Sequence, residues 1–255
     1  YKYLKDNNIS LLSLPHSVSL FLNHDNEFHK KSTIDMLNNP ADNFVVIGED
    51  YSNFCIDNGV RKEKMHVLGS ARFCMEWKNV LDNIITWDIS KRPKNNKLNV
   101  VFMDRGKKIT NKYEFIQETI NMISELDFVD FKFKPQTRSN KINFNTSNIE
   151  VLTKFNSVDI IRWADVVIGN YSSILIEALL QNKIIISPLH HKDQGTLLEE
   201  SHACITVNSN EEIIKVLQNI HINGNSKYNR EIGRKNFLND VTNSNGDVMN
   251  DYCKL

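Results

Sequence analysis

Ala164-Asp165-Val166-Val167-Ile168-Gly169-Asn170-Tyr171-Ser172-Ser173-Ile174-Leu175-Ile176-Glu177-Ala178-Leu179-Leu180 reads as a strand, a tight turn and a helix. Asp165 to Ile168 is a short β-branched run stopped by Gly169, which suits a parallel strand covered on both faces. Asn170 to Ser173 supply turn and N-cap residue types. Ile174 to Leu180 is apolar nearly all round, so that helix is expected to be buried. Ile184, Ile185 and Ile186 ahead of Pro188 make the next strand. The unit is βαβ.

A helix start leaves backbone N–H groups unpaired and carries about half a positive charge, which suits a phosphate. Ser172 and Ser173 add two hydroxyls there. Glu177 comes four residues after Ser173, on the same helix face. A capping box needs its acid three residues after the cap, so Glu177 falls one position late. Two readings follow. In one, the serines bind phosphate and Glu177 accepts from a ribose diol. In the other, a serine merely caps the helix and Glu177 is solvated.

The chain has 255 residues, enough for one large domain or two modest ones. Its 31 basic and 31 acidic side chains cancel, so the strongly basic face of a nucleic-acid binder is not expected. Cys55, Cys74, Cys204 and Cys253 lie far apart with no CxxC pair, which suits a reducing compartment and argues against a zinc site or disulfide frame. No run approaches the about 20 apolar residues of a membrane span, and no secretory signal is visible. The expected location is cytoplasmic. The chain starts at Tyr1 in mid-flow, and an upstream part is expected to be missing.

Outward from the opening stretch, strands and helices alternate. Ile9 to Leu14 is a short strand delivering His16 to a loop, a common way to present a base; the plainer reading is a loop histidine bonded to backbone. Phe44–Gly48 and Lys64–Leu68 are further strands, with a helix from Asp50 to Asn58 stopped by Gly59. The second strand runs into Gly69-Ser70-Ala71-Arg72-Phe73. Lys91 to Lys97 is charged and turn-rich, and marks a domain boundary: 1–92 against 93–255. Asn99–Met103 opens the second half and is followed by Asp104-Arg105-Gly106. Tyr113 to Leu126 is a helix whose stripe of Phe115, Ile116, Ile120, Ile123 and Leu126 reads as core. Phe128–Phe133 alternates into a strand ending Lys134-Pro135-Gln136-Thr137-Arg138. Ser209 and Glu212 have capping-box spacing ahead of a last long helix. His190 and His191, being adjacent, suit no shared metal. His16, Arg72, Arg105, Lys134, Ser172 and His190 all follow strands, where ligands of parallel sheets bind. The pattern argues an α/β fold with parallel sheets.

The strand, Ser-Ser, three residues, Glu-Ala-Leu run resembles the nucleotide-binding signature of GT-B glycosyltransferases. It is most like bacterial surface-polysaccharide enzymes such as CDP-glycerol glycerophosphotransferases and capsule transferases. The resemblance implies two Rossmann-like halves with a cleft between them, the N-terminal half incomplete here. It implies that Ser172 and Ser173 hold the donor phosphate and Glu177 the ribose. "Leu-Pro-His-Ser" looks like the histidine element of these enzymes, making His16 the base that deprotonates the acceptor. "Gly-Ser-Ala-Arg" resembles their hinge-side loop, with Ala71 for the usual proline, and turns Arg72 toward a donor phosphate. Where the group usually has Lys-x-His-Pro, this chain has Lys134 and Arg138, which offer charge in place of the imidazole. The implied donor is a nucleotide-sugar or CDP-polyol, and the acceptor a polysaccharide or lipid-linked chain. No cofactor and no metal are implied, and the last helical segment is expected to cross back to the first half. Peripheral contact with the inner face of the membrane fits such an acceptor. Two rivals share the fold: a nucleotide-sugar 2-epimerase or hydrolase, and a non-catalytic nucleotide-binding module of a polysaccharide assembly.

Overall fold

The computed structural model describes residues 2–15, 20, 37–84, 96–105, 112–136, 149–228, 230–242 and 247–255. The chain forms two compact units, one of Tyr1–Asp82 with Asn236–Leu255 and the other of Asn83–Lys235. Most of the boundary expected at Lys91–Lys97 lies outside the described residues. The sequence-based division at 92/93 groups Asn236–Leu255 with the second half, whereas these residues pack with the first unit.

The first unit begins with α1 (Lys2–Asp6), β1 (Leu12–Ser13), β2 (Asn43–Val46), α2 (Glu49–Asp57), β3 (Met65–Val67) and α3 (Met75–Ile84). Its strands are all parallel, in the order β1-β2-β3. The strand expected over Ile9–Leu14 is cut to two residues, Leu12 pairing with Asn43 and Ser13 with Phe44. Its flanks Ile9 and Leu14 are both exposed and bury nothing that would extend it. Ala41, Phe44, Cys55 and Val60 form the local core. Helix α2 stops as expected: Gly59 takes the left-handed backbone (φ 100°) that a side chain would strain.

The second unit runs β4 (Leu98–Met103), α4 (Tyr113–Ser124), β5 (Val129–Lys134), β6 (Glu150–Val151), α5 (Ser157–Trp163), β7 (Val166–Gly169), α6 (Ile174–Leu180), β8 (Ile184–Pro188), α7 (Leu197–Glu200), β9 (Ile205–Val207) and α8 (Asn210–Asn223). Six parallel strands lie in the order β6-β5-β4-β7-β8-β9. Every residue of β4 and β7 is buried, as apolar runs covered by helices on both faces require. Val100, Phe102, Val166, Ile168 and Ile186 meet Ile116, Ile120 and Ile123 from α4 and Ile213 and Leu217 from α8. Phe115 departs from the expected stripe: it is exposed and sits edge-on to His190, ring centroids 6.3 Å apart. Strand β5 also departs from simple alternation, because Lys132 and Lys134 are buried with it. Lys132 is paired with Glu150 and lies 4.6 Å over the Trp163 ring.

The chain closes with α9 (Glu231–Thr242) and α10 (Val248–Cys253). Buried Gly233 lets the first turn of α9 lie on the Ser201–His202 turn; a Cβ there would come within 2.4 Å of both carbonyl oxygens. In the first unit, Tyr252 donates to the Gly69 carbonyl at 2.9 Å. Among the described residues no helix is long and apolar enough to cross a membrane, and no group of three or more His, Cys, Asp or Glu is placed to hold a metal ion.

Candidate functional site

The strand order locates the site. From β4 the chain moves outward through β5 to β6, then returns to the other side of β4 to lay down β7, β8 and β9. The direction reverses between β4 and β7, and a crevice opens at their carboxyl ends at such a switch point. Met103 pairs with Gly169 as the last register pair. Asp104 and Arg105 therefore leave the sheet beside Asn170, Tyr171, Ser172 and Ser173. Gly169 permits this closeness: an ideal Cβ there would meet the Met103 carbonyl oxygen and the Leu175 side chain, each at 3.2 Å.

The turn after β7 is tightly held. Tyr171 has a left-handed backbone (φ 47°), an uncommon state for an aromatic residue. Its hydroxyl accepts from the backbone N–H groups of Asp193 at 2.9 Å and Gln194 at 3.0 Å, and donates to the Gln194 carbonyl. Burial raises its pKa. Ser173 occupies the N-cap position of α6 but makes no side-chain capping bond. Ser172 and Ser173 accept through their carbonyls from Leu175 N and Ile176 N instead, and both side chains are half-buried. A purely capping role for Ser173 is thus not what the turn displays. Nor is Glu177 solvated: it is 4% exposed, one turn into α6.

Beneath this turn lies a buried ionic cluster. Lys192, 4% exposed, donates to Glu199 Oε1 at 2.6 Å and to Ser187 Oγ at 2.7 Å, and its ammonium lies 5.6 Å over the Tyr171 ring. Glu199 also accepts from the Thr196 backbone N–H. Cys204 nearby has its thiol pushed up to about 12 by burial and the Glu199 charge. Next to Lys192 in the chain, His191 is fully buried, with Nε2 2.7 Å from Thr119 Oγ1. Asn210 joins the network, its Oδ1 2.9 Å from His190 Nε2 and its amide donating to Glu118 at 3.1 Å. Burial holds the His191 pKa down to about 3, so its imidazole is neutral. The two histidine rings lie 4.2 Å apart between centroids, tilted by 59°.

The other expected site residues are distributed as follows. His16 and Arg138 lie outside the described residues. Arg72 belongs to the first unit; it is exposed after β3, with its guanidinium 5.1 Å over the Phe73 ring. Lys134 is at the end of β5, buried, and donates to the Leu152 carbonyl at 3.1 Å; burial lowers its pKa. Its charge is committed to the β5–β6 edge. Arg105 is the cation beside the crevice. It is half-buried, its pKa is lowered by burial, and its Nε has no hydrogen-bond partner among the described residues.

Sequence reasoning noted that Arg105 follows a strand but gave it no role, and it missed Asn170, Lys192 and Glu199. Strand order, the signal that singles out β4 and β7, is not written in local periodicity. Lys192 and Glu199 carried only the weak mark of a polar cluster after a strand.

No family profile and no curated protein matches the chain. Solved structures do. The UDP-GlcNAc 2-epimerase of Methanocaldococcus jannaschii matches at TM-score 0.56 and 14% identity, over 92% of this chain and 70% of that one. The wall teichoic acid polymerase TagF matches at TM-score 0.61 and 12% identity, over 96% of this chain and 67% of that one. MnaA of S. aureus, solved with UDP, matches at TM-score 0.61 and 14% identity, over 96% and 67%. At such identities the likeness concerns the fold, and the chain has the α/β fold of the GT-B glycosyltransferases and of the 2-epimerases that share it.

Proposed function

We propose that this chain binds a nucleotide-activated sugar or polyol phosphate at the carboxyl ends of β4 and β7 and takes part in its transfer to a bacterial surface polysaccharide. The observation that carries the reading is Glu177. A carboxylate only 4% exposed, one turn beyond Ser172 and Ser173, is placed where the strand order reverses. In this reading the serine hydroxyls and turn amides take the donor phosphates and Glu177 accepts from the ribose diol. Arg105, with Arg72 and Arg138, offsets charge on the departing nucleotide, so the mechanism calls on cationic side chains in place of a metal. His16 acts as the base that removes the acceptor proton. Lys134 has its ammonium engaged by Leu152 and serves the sheet edge.

Neighbouring structures contain nucleotides, among them MnaA with UDP, and HepE of Anabaena with UDP-glucose at TM-score 0.52 and 11% identity. They support the donor class. The epimerases among the neighbours support the second reading, rearrangement or hydrolysis of a nucleotide-sugar. Release of free nucleotide with no acceptor present separates it from transfer.

The test is a thermal-shift panel with CMP, CDP, UMP, UDP and GDP. A ligand at about a hundred times its Kd adds roughly 2.7 kcal/mol of stability. A selective rise with one base is expected, lost in the Ser172→Ala/Ser173→Ala double variant. No rise with any nucleotide, or an unchanged rise in the double variant, overturns the phosphate assignment. Near-normal turnover of His16→Ala would remove the base.

A further inference from the structure

Asn170 stands apart from its neighbours. It is 6% exposed, and neither its amide nitrogen nor its amide oxygen has a hydrogen-bond partner among the described residues. Buried primary amides are nearly always bonded, because each group left unpaired costs the water bonds it gave up. No packing need explains an asparagine here, since an apolar residue of that size would fill the same space without the cost. The residue also sits at the switch point. It is the first beyond Gly169, beside the end of β4 and two residues before Ser172.

We propose that Asn170 is a specificity-determining residue for the donor, its amide bonding a hydroxyl of the transferred sugar or polyol next to the diphosphate. The inference rests on the nucleotide-donor reading above. Three points give it that chemistry. A primary amide both donates and accepts; a phosphate only accepts and an ammonium only donates, whereas a hydroxyl answers both sides of the amide. Asp104 leaves the sheet alongside Asn170, and a carboxylate at that place disfavours a second anion there while leaving a neutral hydroxyl welcome. Asn170 is within about 7 Å of backbone from Ser172, so the group it meets is joined directly to whatever Ser172 holds. With Glu177 assigned to the ribose, that group is the one on the far side of the diphosphate.

The experiment measures affinity by calorimetry for UDP, UDP-GlcNAc, CDP and CDP-glycerol, on wild type, Asn170→Ala and Asn170→Asp, together with the melting temperature of each ligand-free protein. Expected is a Kd for the matching nucleotide-sugar or CDP-polyol raised about three- to tenfold in Asn170→Ala, with the bare nucleotide unchanged within twofold, as loss of one neutral hydrogen bond predicts. Asn170→Asp adds a negative charge beside Asp104 and the diphosphate, so it is expected to weaken nucleotide and nucleotide-sugar alike, and the specificity role is judged on Asn170→Ala. Ligand-free Asn170→Ala is expected to melt at or above the wild-type temperature. Equal weakening of nucleotide and nucleotide-sugar in Asn170→Ala, or no change in either, overturns the specificity role while leaving the donor site standing. A lowered melting temperature of ligand-free Asn170→Ala means a structural amide and overturns it too. A wild type that binds none of the four overturns the donor reading itself, and the proposal with it.

Discussion

The Tyr171 hydroxyl donates to the Gln194 carbonyl and accepts from the Gln194 N–H, each at 3.0 Å. One phenol thereby fastens the turn after β7 to the loop after β8 and holds a left-handed residue in place. Tyr171→Phe removes the hydroxyl and leaves the N–H groups of Asp193 and Gln194 without it. The expected loss is about 1–3 kcal/mol of unfolding free energy, read as a lower urea midpoint with unchanged slope. Because the same turn carries Ser172 and Ser173, nucleotide affinity is expected to fall in parallel. Full stability in the variant would show that the phenol is not what holds the turn.

Lys192 and Glu199 form an ion pair in which the lysine side chain is 1% exposed. Removing one partner strands the other charge in the interior. Lys192→Met is expected to cost about 3–5 kcal/mol, and adding Glu199→Leu to recover part of it. Urea melts of the two single variants and the double variant measure the coupling. A double variant as unstable as the sum of the singles would mean that the two charges act independently.

His191 makes stability depend on pH. Burial first, then the charges of His190 and Lys192, lowers its pKa from 6.5 to about 3. In the folded chain the imidazole stays neutral, whereas the unfolded chain takes up a proton as pH drops through 6.5. The contribution is complete above that value and is lost as pH falls from there toward 3, at up to ~1.4 kcal/mol per pH unit. Melting curves between about pH 7.5 and pH 5 should show a steeper fall for wild type than for His191→Gln. Parallel curves would show that His191 is not the group responsible.

Gly233 is expected to tolerate no side chain. The atoms that a Cβ would strike at 2.4 Å are the backbone oxygens of Ser201 and His202, which cannot swing aside as a flexible side chain would. Gly233→Ala is therefore expected to destabilise by more than about 2 kcal/mol, although alanine is the better helix former by about 1 kcal/mol. A variant as stable as wild type would mean that the Ser201–His202 turn gives way to the added methyl.

The central βαβ unit was legible because its residues state their environment locally. Val166, Val167 and Ile168 are apolar on consecutive positions, and Leu175 to Leu180 are apolar around the helix, so burial on both sides follows without tertiary knowledge. Glu177 was readable as an outlier from a capping box. Less was legible where long-range contacts override pattern. Lys134 looked like a free cation after a strand, but the Leu152 carbonyl, from a segment eighteen residues on, takes its ammonium. Ser209 caps the last long helix as its spacing to Glu212 implies, its hydroxyl accepting from the Glu212 N–H at 3.3 Å, while the Glu212 carboxylate accepts from the Asn208 N–H, one residue earlier than the box pattern implies. The half-box at Thr196, whose N–H donates to the Glu199 carboxylate three residues on, went unread behind the polar cluster before it. Asn170 and Arg105 became meaningful only once the strand order brought the ends of β4 and β7 side by side.

The β4–β7 pairing has a consequence for when the protein becomes competent. Asp165 Oδ2 accepts from the Asn99 N–H across 66 residues, whereas β4 and β5 pair across a much shorter loop. Closing so long a loop is entropically expensive and comes after local pairings in a chain that emerges from the ribosome in order. The nascent first three strands of the large sheet therefore exist for a time with an open edge along β4. Both halves of the crevice meet only when β7 seals that edge, so binding of the proposed donor would double as a report that the sheet has been completed. A small molecule held there would act as a latch on the newest and least local seam of the molecule.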